Sequence, residues 1–173
     1  MCAVTESDQN LGDRQIRVEN TRIALLKLAS YYRSLFDIPV VGVTGSVGKT
    51  TTKEMIYTVL SAKYSTLKNE GNLNNEIGVP LTLFNIDRSH EAAVIEMGMN
   101  NFGEISRITA TVRPDIAVIS NIGVSHIENL GSREGILKAK LEILEGAEEC
   151  TYFKNSKSFF DFIRTSLRNS QNL

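Results

Sequence analysis

One short stretch of the chain, VVGVTGSVGKTTTKEM from Val40 to Met55, places glycines, a lysine and a run of threonines directly after an apolar segment. This order predicts a strand, then a tight turn, then the start of a helix. The backbone N–H groups of such a turn and the first N–H groups of the helix lack partners and converge on one point. They favour an anion at that point, and the lysine indicates that the anion is a phosphate group.

The turn reads GSVGKT, with Val43 at the place where the longer GxxxxGKT pattern has its first glycine. Gly45 and Gly48 let the backbone approach phosphates closely. Lys49 offsets the charge of the β and γ oxygens, and the Thr50 hydroxyl is a ligand for Mg²⁺. The pattern indicates a nucleotide but not which reaction it undergoes. The alternative is an ordinary glycine turn before a helix, with a solvated lysine.

A carboxylate closes a second apolar segment, because Glu96 stands near the end of AAVIEM, residues 92–97. An ionised side chain at the end of a buried strand is costly unless it is paired or bound to a metal. Mg²⁺ prefers oxygen ligands and keeps several waters, so one hydroxyl and one carboxylate suffice to hold it beside ATP. The alternative is a glutamate that points into solvent at the end of its strand.

Two further residues are candidates for the site. His126 lies in the loop NIGVSHIENLGS after a third apolar segment, where a histidine is either structural or functional. Lys140 falls within the apolar stripe of a helix predicted over residues 136–147. A lysine at such a position must extend to solvent, pair with an anion or lose its charge.

The elements that would position these residues alternate between strand and helix. Apolar periodicity predicts helices over residues 21–36, 49–63 and 102–111, a helix capped by Ser132 and ending near Gly146, and strands over residues 38–44, 92–97 and 116–120. In the helix over 49–63 we expect Met55, Ile56, Val59 and Leu60 to face the core, with Lys53 on the opposite side.

This alternation predicts an α/β fold, a three-layer and mostly parallel sheet with a phosphate loop. The loops at 45–50, 96–103 and 121–131 each follow a strand, and the carboxyl ends of parallel strands meet at one edge of a sheet. We therefore expect the three loops, and the candidate residues that they carry, to meet there.

Composition bounds the class of protein. The 173 residues are 42% hydrophobic and 23% charged with a net charge of −1, which is ordinary for one globular domain and gives no case for nucleic acid as a partner. No apolar run approaches the roughly 20 residues that span a bilayer, so no membrane insertion is expected. The two cysteines, Cys2 and Cys150, lie far apart. They favour a reducing, cytoplasmic setting.

Four motifs together resemble the Mur ligases: TGSVGKTTTKEM, GNLNNEIGVPLTL, VIEMGMNNFGEISR and NIGVSHIENLGSREGILKAKLEIL. Within that family they are most similar to the central ATP-binding domain of the MurF type, and GNLNNEIG is particularly typical of it. The resemblance runs from about Glu19 to Gly146. It implies a ligase that uses ATP and Mg²⁺ to join D-alanyl-D-alanine to UDP-N-acetylmuramoyl-tripeptide through an acyl phosphate.

The resemblance also implies roles for individual residues. Glu96 matches the glutamate that holds Mg²⁺, His126 matches a histidine near a second Mg²⁺, and Lys140 matches a lysine that CO₂ carbamylates and that then helps to position metal. Asn72 matches an asparagine near the phosphates, with turn formation as its alternative. The residues that would bind the ATP phosphates are Gly45, Ser46, Val47, Gly48, Lys49, Thr50 and Thr51.

Outside the resembling region, we expect residues 1–18 to be a leader or linker remnant, residues 19–150 the central domain and residues 151–173 a divergent tail that replaces the next strand. We expect such a fragment not to ligate by itself. Two other hypotheses stay open. A phosphotransferase unrelated to this family would transfer phosphate to a hydroxyl, and a non-catalytic nucleotide-binding module would transfer none.

Overall fold

The computed structural model describes residues 2–10, 12–123, 125 and 127–146, and the backbone of residues 149–152. Its elements are, in chain order, β1 (Ala3–Thr5), β2 (Gln15–Arg17), α1 (Thr21–Arg33), β3 (Val40–Thr44), α2 (Lys49–Ser61), β4 (Thr66–Lys68), α3 (Gly78–Leu83), β5 (Ala92–Glu96), α4 (Glu104–Val112), β6 (Ile116–Ile119), α5 (Ile127–Leu130), α6 (Arg133–Leu141) and β7 (Glu149–Tyr152). Single 3₁₀ turns precede β2, at Gly12–Arg14, and follow α6, at Glu142–Gly146.

The main sheet is parallel and has the strand order β4-β5-β3-β6-β7, while β1 and β2 form a separate parallel pair. Within the main sheet Val43 is opposite Glu96, and Thr44 is opposite Ile119. The carboxyl ends of β3, β5 and β6 are therefore level with one another. The predicted parallel α/β fold is confirmed, and the three predicted loops leave from the same edge of the sheet.

The strands are buried on both faces, which follows from helices lying on each side of the sheet. Val43, Val94 and Val118 form a cluster with residues of α2 on one face. Their strand neighbours Ile95 and Ile119 point the other way, into the larger core formed with α1, α3, α4 and α6. All five residues of β5 are buried. This explains why the sequence of that strand is apolar, rather than alternating, up to Glu96 at its end.

The predicted orientation of α2 is confirmed for Ile56 and Leu60 but wrong for Lys53, Met55 and Val59. Lys53, expected on the solvent side, has a 1% exposed side chain, whereas Met55 and Val59 are 66% and 73% exposed. The buried face combines Lys53 with Ile56, Tyr57 and Leu60, which follow at the three- and four-residue spacing of one helix face. The lysine ammonium donates to the main-chain carbonyl of Asn69 at 2.7 Å and pairs with the Glu54 carboxylate at 3.2 Å.

The carboxyl-terminal elements differ from the prediction in two ways. The Ser132 hydroxyl caps α6 by accepting a hydrogen bond from the Gly135 N–H at 3.1 Å, as predicted, but the α-helix ends at Leu141 and continues as the 3₁₀ turn. The expectation that no strand follows Gly146 is wrong, because β7 pairs with β6. In the described part of the chain no helix is long and apolar enough to cross a membrane.

Candidate nucleotide site

The phosphate loop joins β3 to α2 and is held in place by hydrogen bonds with the loop after β6. The N–H groups of Ser46 and Val47 donate to the main-chain and side-chain oxygens of Asn121 at 3.0 and 2.9 Å. The Ser120 hydroxyl donates to the Val47 carbonyl at 2.7 Å. Gly45 has φ +151°, and a Cβ there would lie 1.9 Å from the Ser120 Oγ. Only glycine fits this close approach between the two loops.

Lys49 begins α2, directly after Gly48, which has the left-handed φ of +81°. Its Nζ donates to the Gly45 carbonyl at 3.0 Å, so the side chain folds back over the loop. The first turn of a helix leaves its N–H groups without intrahelical acceptors and carries a partial positive charge. Together with the ammonium group, these N–H groups give the loop the donors and the positive charge that a phosphate group would need.

The Glu96 carboxylate lies beside this loop and is 2% exposed. Its Oε2 accepts a hydrogen bond from the Thr50 hydroxyl and its Oε1 accepts one from the Asn74 amide, each at 2.8 Å. No ion pair to Glu96 is found among the described residues, so neutral groups alone satisfy it. A buried carboxylate and a hydroxyl in contact are oxygen ligands of the kind that Mg²⁺ prefers, and they fit that ion.

The candidate metal ligands in the described part of the chain remain few. They include no cluster of three His, Cys, Asp or Glu side chains. Mg²⁺ does not require three protein ligands, because it retains waters and takes phosphate oxygens as ligands.

Lys140 is 2% exposed, so it does not extend to solvent. Burial, together with a smaller effect of the charge of Lys49, lowers the pKa of its ammonium group from 10.5 to about 7. The charge of Lys49 therefore acts on Lys140 across the fold. Because a group with a pKa of about 7 is partly neutral at physiological pH, the Lys140 amine is available as a nucleophile.

The structure gives the remaining predicted residues no described contact with the Glu96 carboxylate. Asn72 and Thr51 are exposed, and Asn74 rather than Asn72 is the described asparagine that contacts the Glu96 carboxylate. His126 lies outside the described residues. The contacts of Asn69, Asn74 and Asn121 were not predicted. Asn69 and Asn74 both lie within the asparagine-rich stretch KNEGNLNNEIG, which was the only signal for them.

Comparison with known proteins identifies the family. Residues 43–171 match the Mur ligase middle domain. The UDP-N-acetylmuramoyl-tripeptide–D-alanyl-D-alanine ligase of Bacillus subtilis is 52% identical over 134 residues, which are 78% of this chain and 29% of the relative. The ligase of the same name from Escherichia coli K12 is 44% identical over 135 residues, 78% of this chain and 30% of that relative.

A solved structure with the same fold carries a nucleotide. The MurF ligase from Thermotoga maritima in complex with ADP aligns with a TM-score of 0.86 at 36% identity, and the alignment covers 92% of this chain and 38% of that one. The chain spans about 30% of the length of the curated relatives that it matches. Because the matched pattern covers most of its length, this protein belongs to the Mur ligase family through that family's middle domain.

Proposed function

We propose that this chain is the ATP-binding middle domain of a ligase that joins D-alanyl-D-alanine to UDP-N-acetylmuramoyl-tripeptide. The observation that carries the proposal is the 2.8 Å contact between Thr50 and Glu96, which places two oxygen ligands directly beside the phosphate loop. The names of the most similar relatives supply the substrates. Of the domain boundaries predicted above, the start at residue 19 remains part of this proposal, while the end at residue 150 moves to include all of β7, Glu149–Tyr152.

The phosphate loop would bind ATP through groups that are already ordered. Asn121 occupies the N–H groups of Ser46 and Val47 and so fixes the shape of the loop. The N–H groups at the start of α2, those of Lys49, Thr50 and Thr51, remain for the phosphate oxygens. The Lys49 ammonium, half-buried above the loop, offsets the negative charge of the β and γ phosphates.

Thr50 and Glu96 would hold Mg²⁺ between them, and Asn72 and His126 stay predicted members of the same site. When bound, Mg²⁺ neutralises charge on the phosphate oxygens. The protein's own contribution is to bury the Glu96 carboxylate and to give it neutral partners among the described residues, Thr50 and Asn74. A carboxylate that no described cation pairs with can take a metal cation.

Lys140 would change its charge by reacting with CO₂. The neutral amine forms an N–C bond to the carbon of CO₂ and loses a proton to solvent, which leaves a carbamate anion. This reaction needs the uncharged amine, and the pKa of about 7 provides it. The product replaces a cation that burial disfavours by an anion that can help to hold metal near Glu96.

The ligation that we propose proceeds in two steps. An oxygen of the tripeptide carboxylate attacks the γ-phosphorus of ATP, the bond to the β-phosphate oxygen breaks, and ADP leaves. The amine of D-alanyl-D-alanine then attacks the acyl phosphate carbon, inorganic phosphate leaves, and the amine gives up a proton. Lys49 and the loop N–H groups stabilise the charge of the transferred phosphoryl group. Because the reaction consumes ATP, we place it in the cytoplasm.

We expect Glu96→Gln to weaken the effect of Mg²⁺ on nucleotide binding. The substitution keeps the shape of the side chain but removes the charge that attracts the metal. The ratio of ATP affinity in Mg²⁺ to ATP affinity in EDTA should fall about fivefold, or about 1 kcal/mol. Calorimetric titration of ATP measures both affinities.

Glu134→Gln is the matched control for this titration, since Glu134 is exposed on α6 and no hydrogen bond or ion pair among the described residues joins it to the loop. It should keep the ratio of the unsubstituted chain. A Glu96→Gln chain with an unchanged Mg²⁺ ratio would remove Glu96 from the metal site.

We expect the 173-residue polypeptide, assayed by itself, to bind ATP without ligating. It spans about 30% of the length of its relatives, and the reaction must hold three substrates while water is kept from the acyl phosphate. Phosphate release with ATP, the muramoyl-tripeptide nucleotide and D-alanyl-D-alanine should equal release without the dipeptide. Release stimulated by the dipeptide would show that the chain ligates unaided, and release stimulated by a hydroxyl acceptor would favour a phosphotransferase.

A further inference from the structure

Asn69 forms a two-point contact with the main chain of Glu96 that no other described side chain makes. Its side chain is fully buried. The Glu96 N–H donates to the Asn69 Oδ1 at 2.9 Å, and the Asn69 Nδ2 donates back to the Glu96 carbonyl at 2.9 Å. A planar side-chain amide thus takes up both main-chain hydrogen-bonding groups of the residue that carries the carboxylate.

This contact takes the place of main-chain pairing between β4 and β5 beyond the last paired residue of β4. The pairing of β4 with β5 stops at Lys68 opposite Val94, two residues before Glu96. A strand that ended there would leave the Glu96 N–H and carbonyl without partners on this side, at a buried position where that is costly. The Asn69 amide supplies the donor and the acceptor that the next residues of β4 would otherwise give. On the other side, the Met97 N–H donates to the Val43 carbonyl at 2.8 Å.

Asn69 also orders the loop that reaches the Glu96 carboxylate. Its Nδ2 makes a second donation, at 2.8 Å, to the carbonyl of Leu73. The next residue is Asn74, whose amide donates to the Glu96 Oε1 and whose carbonyl accepts from the Gly98 N–H at 2.7 Å. One side chain therefore connects the main chain of Glu96 with the loop that fixes the direction of its carboxylate.

A buried lysine of α2 holds the main chain of Asn69. The Lys53 ammonium, 1% exposed, donates to the Asn69 main-chain carbonyl at 2.7 Å. Lys53 lies one helical turn after Lys49 and Thr50, on the helix that begins at the phosphate loop. The position of Asn69, and with it that of Glu96, is thereby tied to the element that positions the Thr50 hydroxyl.

We propose that Asn69 is a positioning residue for Glu96 and that it sets how strongly Mg²⁺ enhances nucleotide binding. The inference rests on the proposed function, in which Glu96 and Thr50 hold the metal. Asn69 touches neither the metal nor the nucleotide in this arrangement. It acts by holding the main chain and the carboxylate of Glu96 in register with Thr50, so that the two oxygen ligands meet without rearrangement. Groups that orient a metal ligand in this way contribute to metal affinity without contacting the ion.

The test is a titration of ATP into the 173-residue chain in Mg²⁺ and in EDTA, with Asn69→Ala and Asn69→Leu as variants. Leucine has the same number of side-chain heavy atoms as asparagine, branched at the same carbon, and replaces the two polar atoms with methyl groups. We expect the Mg²⁺ enhancement to fall about threefold in both variants, with affinity in EDTA unchanged, because the phosphate loop and Lys49 remain. A general loss of structure would instead lower both affinities together.

Thr111→Ala is the matched control, since the Thr111 hydroxyl is buried and donates to the Arg107 carbonyl on α4, away from the site. Full Mg²⁺ enhancement in the Asn69 variants would overturn the positioning role and leave the proposed function standing. An unsubstituted chain without Mg²⁺ enhancement would overturn the proposed metal site, and this inference with it.

A measurement on the unsubstituted chain covers the case in which both variants fail to fold. Adding Mg²⁺ to the ATP-bound chain should shift the side-chain amide NMR signals of Asn69 and leave those of Asn85, an exposed amide at the end of α3, in place. Asn69 signals that do not respond, in a chain whose ATP affinity does respond to Mg²⁺, would overturn the inference.

Discussion

Replacing Lys140 with methionine is expected to raise the free energy of unfolding by up to about 5 kcal/mol at about pH 6, the energy that corresponds to lowering the lysine pKa from 10.5 to about 7. Burial imposes this cost on the charged form, and methionine fills a similar volume without a charge. The gain should be measurable by urea unfolding in buffers freed of CO₂. Lys138→Met, on the same helix but exposed, is the matched control and should change stability little.

The pH dependence of this gain has a definite sign. The unfolded chain keeps the lysine protonated up to its ordinary pKa of 10.5, whereas the folded chain releases the proton near pH 7. Below pH 7 the cost of the buried charge is present in full. Between pH 7 and 10.5 the unfolded state binds more protons, so the stability of the unsubstituted chain rises with pH and the advantage of methionine shrinks. Equal gains at both ends of this range would contradict the lowered pKa.

Added CO₂ provides a second measurement on the same residue. Above pH 7 the neutral amine should react, and ¹³C-labelled bicarbonate should give a carbamate signal in the unsubstituted chain and in Lys138→Met but not in Lys140→Met. A carbamate signal that survives Lys140→Met would assign the modification to another amine.

Lys49→Ala is expected to lower ATP affinity at least about tenfold, or about 1.4 kcal/mol, in both Mg²⁺ and EDTA. The substitution removes the ammonium from above the loop but leaves the N–H groups at the start of α2 and the Asn121 contacts that shape the loop. Isothermal titration calorimetry measures the change. Lys63→Ala, beyond the far end of the same helix and exposed, should bind ATP like the unsubstituted chain.

Lys49→Ala should also raise the pKa of Lys140, since the charge of Lys49 is one of the two causes that lower it. Unchanged ATP affinity in Lys49→Ala would contradict the phosphate loop. Unchanged titration of Lys140 would contradict the shared site of the two lysines. The two results are independent, so each part of the site can fail separately.

The sequence by itself was enough to predict the parallel sheet and the position of the phosphate loop. Both depend on local patterns: short apolar strands between helical periods, and a glycine turn followed by Lys49 at a helix start. The strand that ends at Glu96 was predicted for the same reason. Because parallel strands end at one edge, these local predictions already implied that Lys49 and Glu96 would meet.

Elements with weak local signals were missed. β4 has only three residues, and α3 is a six-residue helix that contains Pro80, so neither repeats a pattern for long enough to be detected. The rotation of α2 was wrong because hydrophobicity alone assigned its faces. A lysine counts against burial in such an assignment, whereas the folded chain buries Lys53 by giving it a carbonyl partner 16 residues away and a carboxylate partner, Glu54.

What only the tertiary structure decided is how the candidate residues are held. Asn69 and Asn74 come from a loop whose sequence indicates only turns, and their roles appear when that loop crosses the end of β5 and meets Glu96. The burial of Lys140 was foreshadowed by its apolar stripe. The effect of Lys49 on the pKa of Lys140 could not be predicted, because the two residues lie 91 positions apart in the chain. Only the fold brings their charges close enough to interact. Periodicity reports one element at a time, whereas hydrogen bonds and electrostatic fields act between elements, so the sequence identified the parts of this site and packing determined their relations.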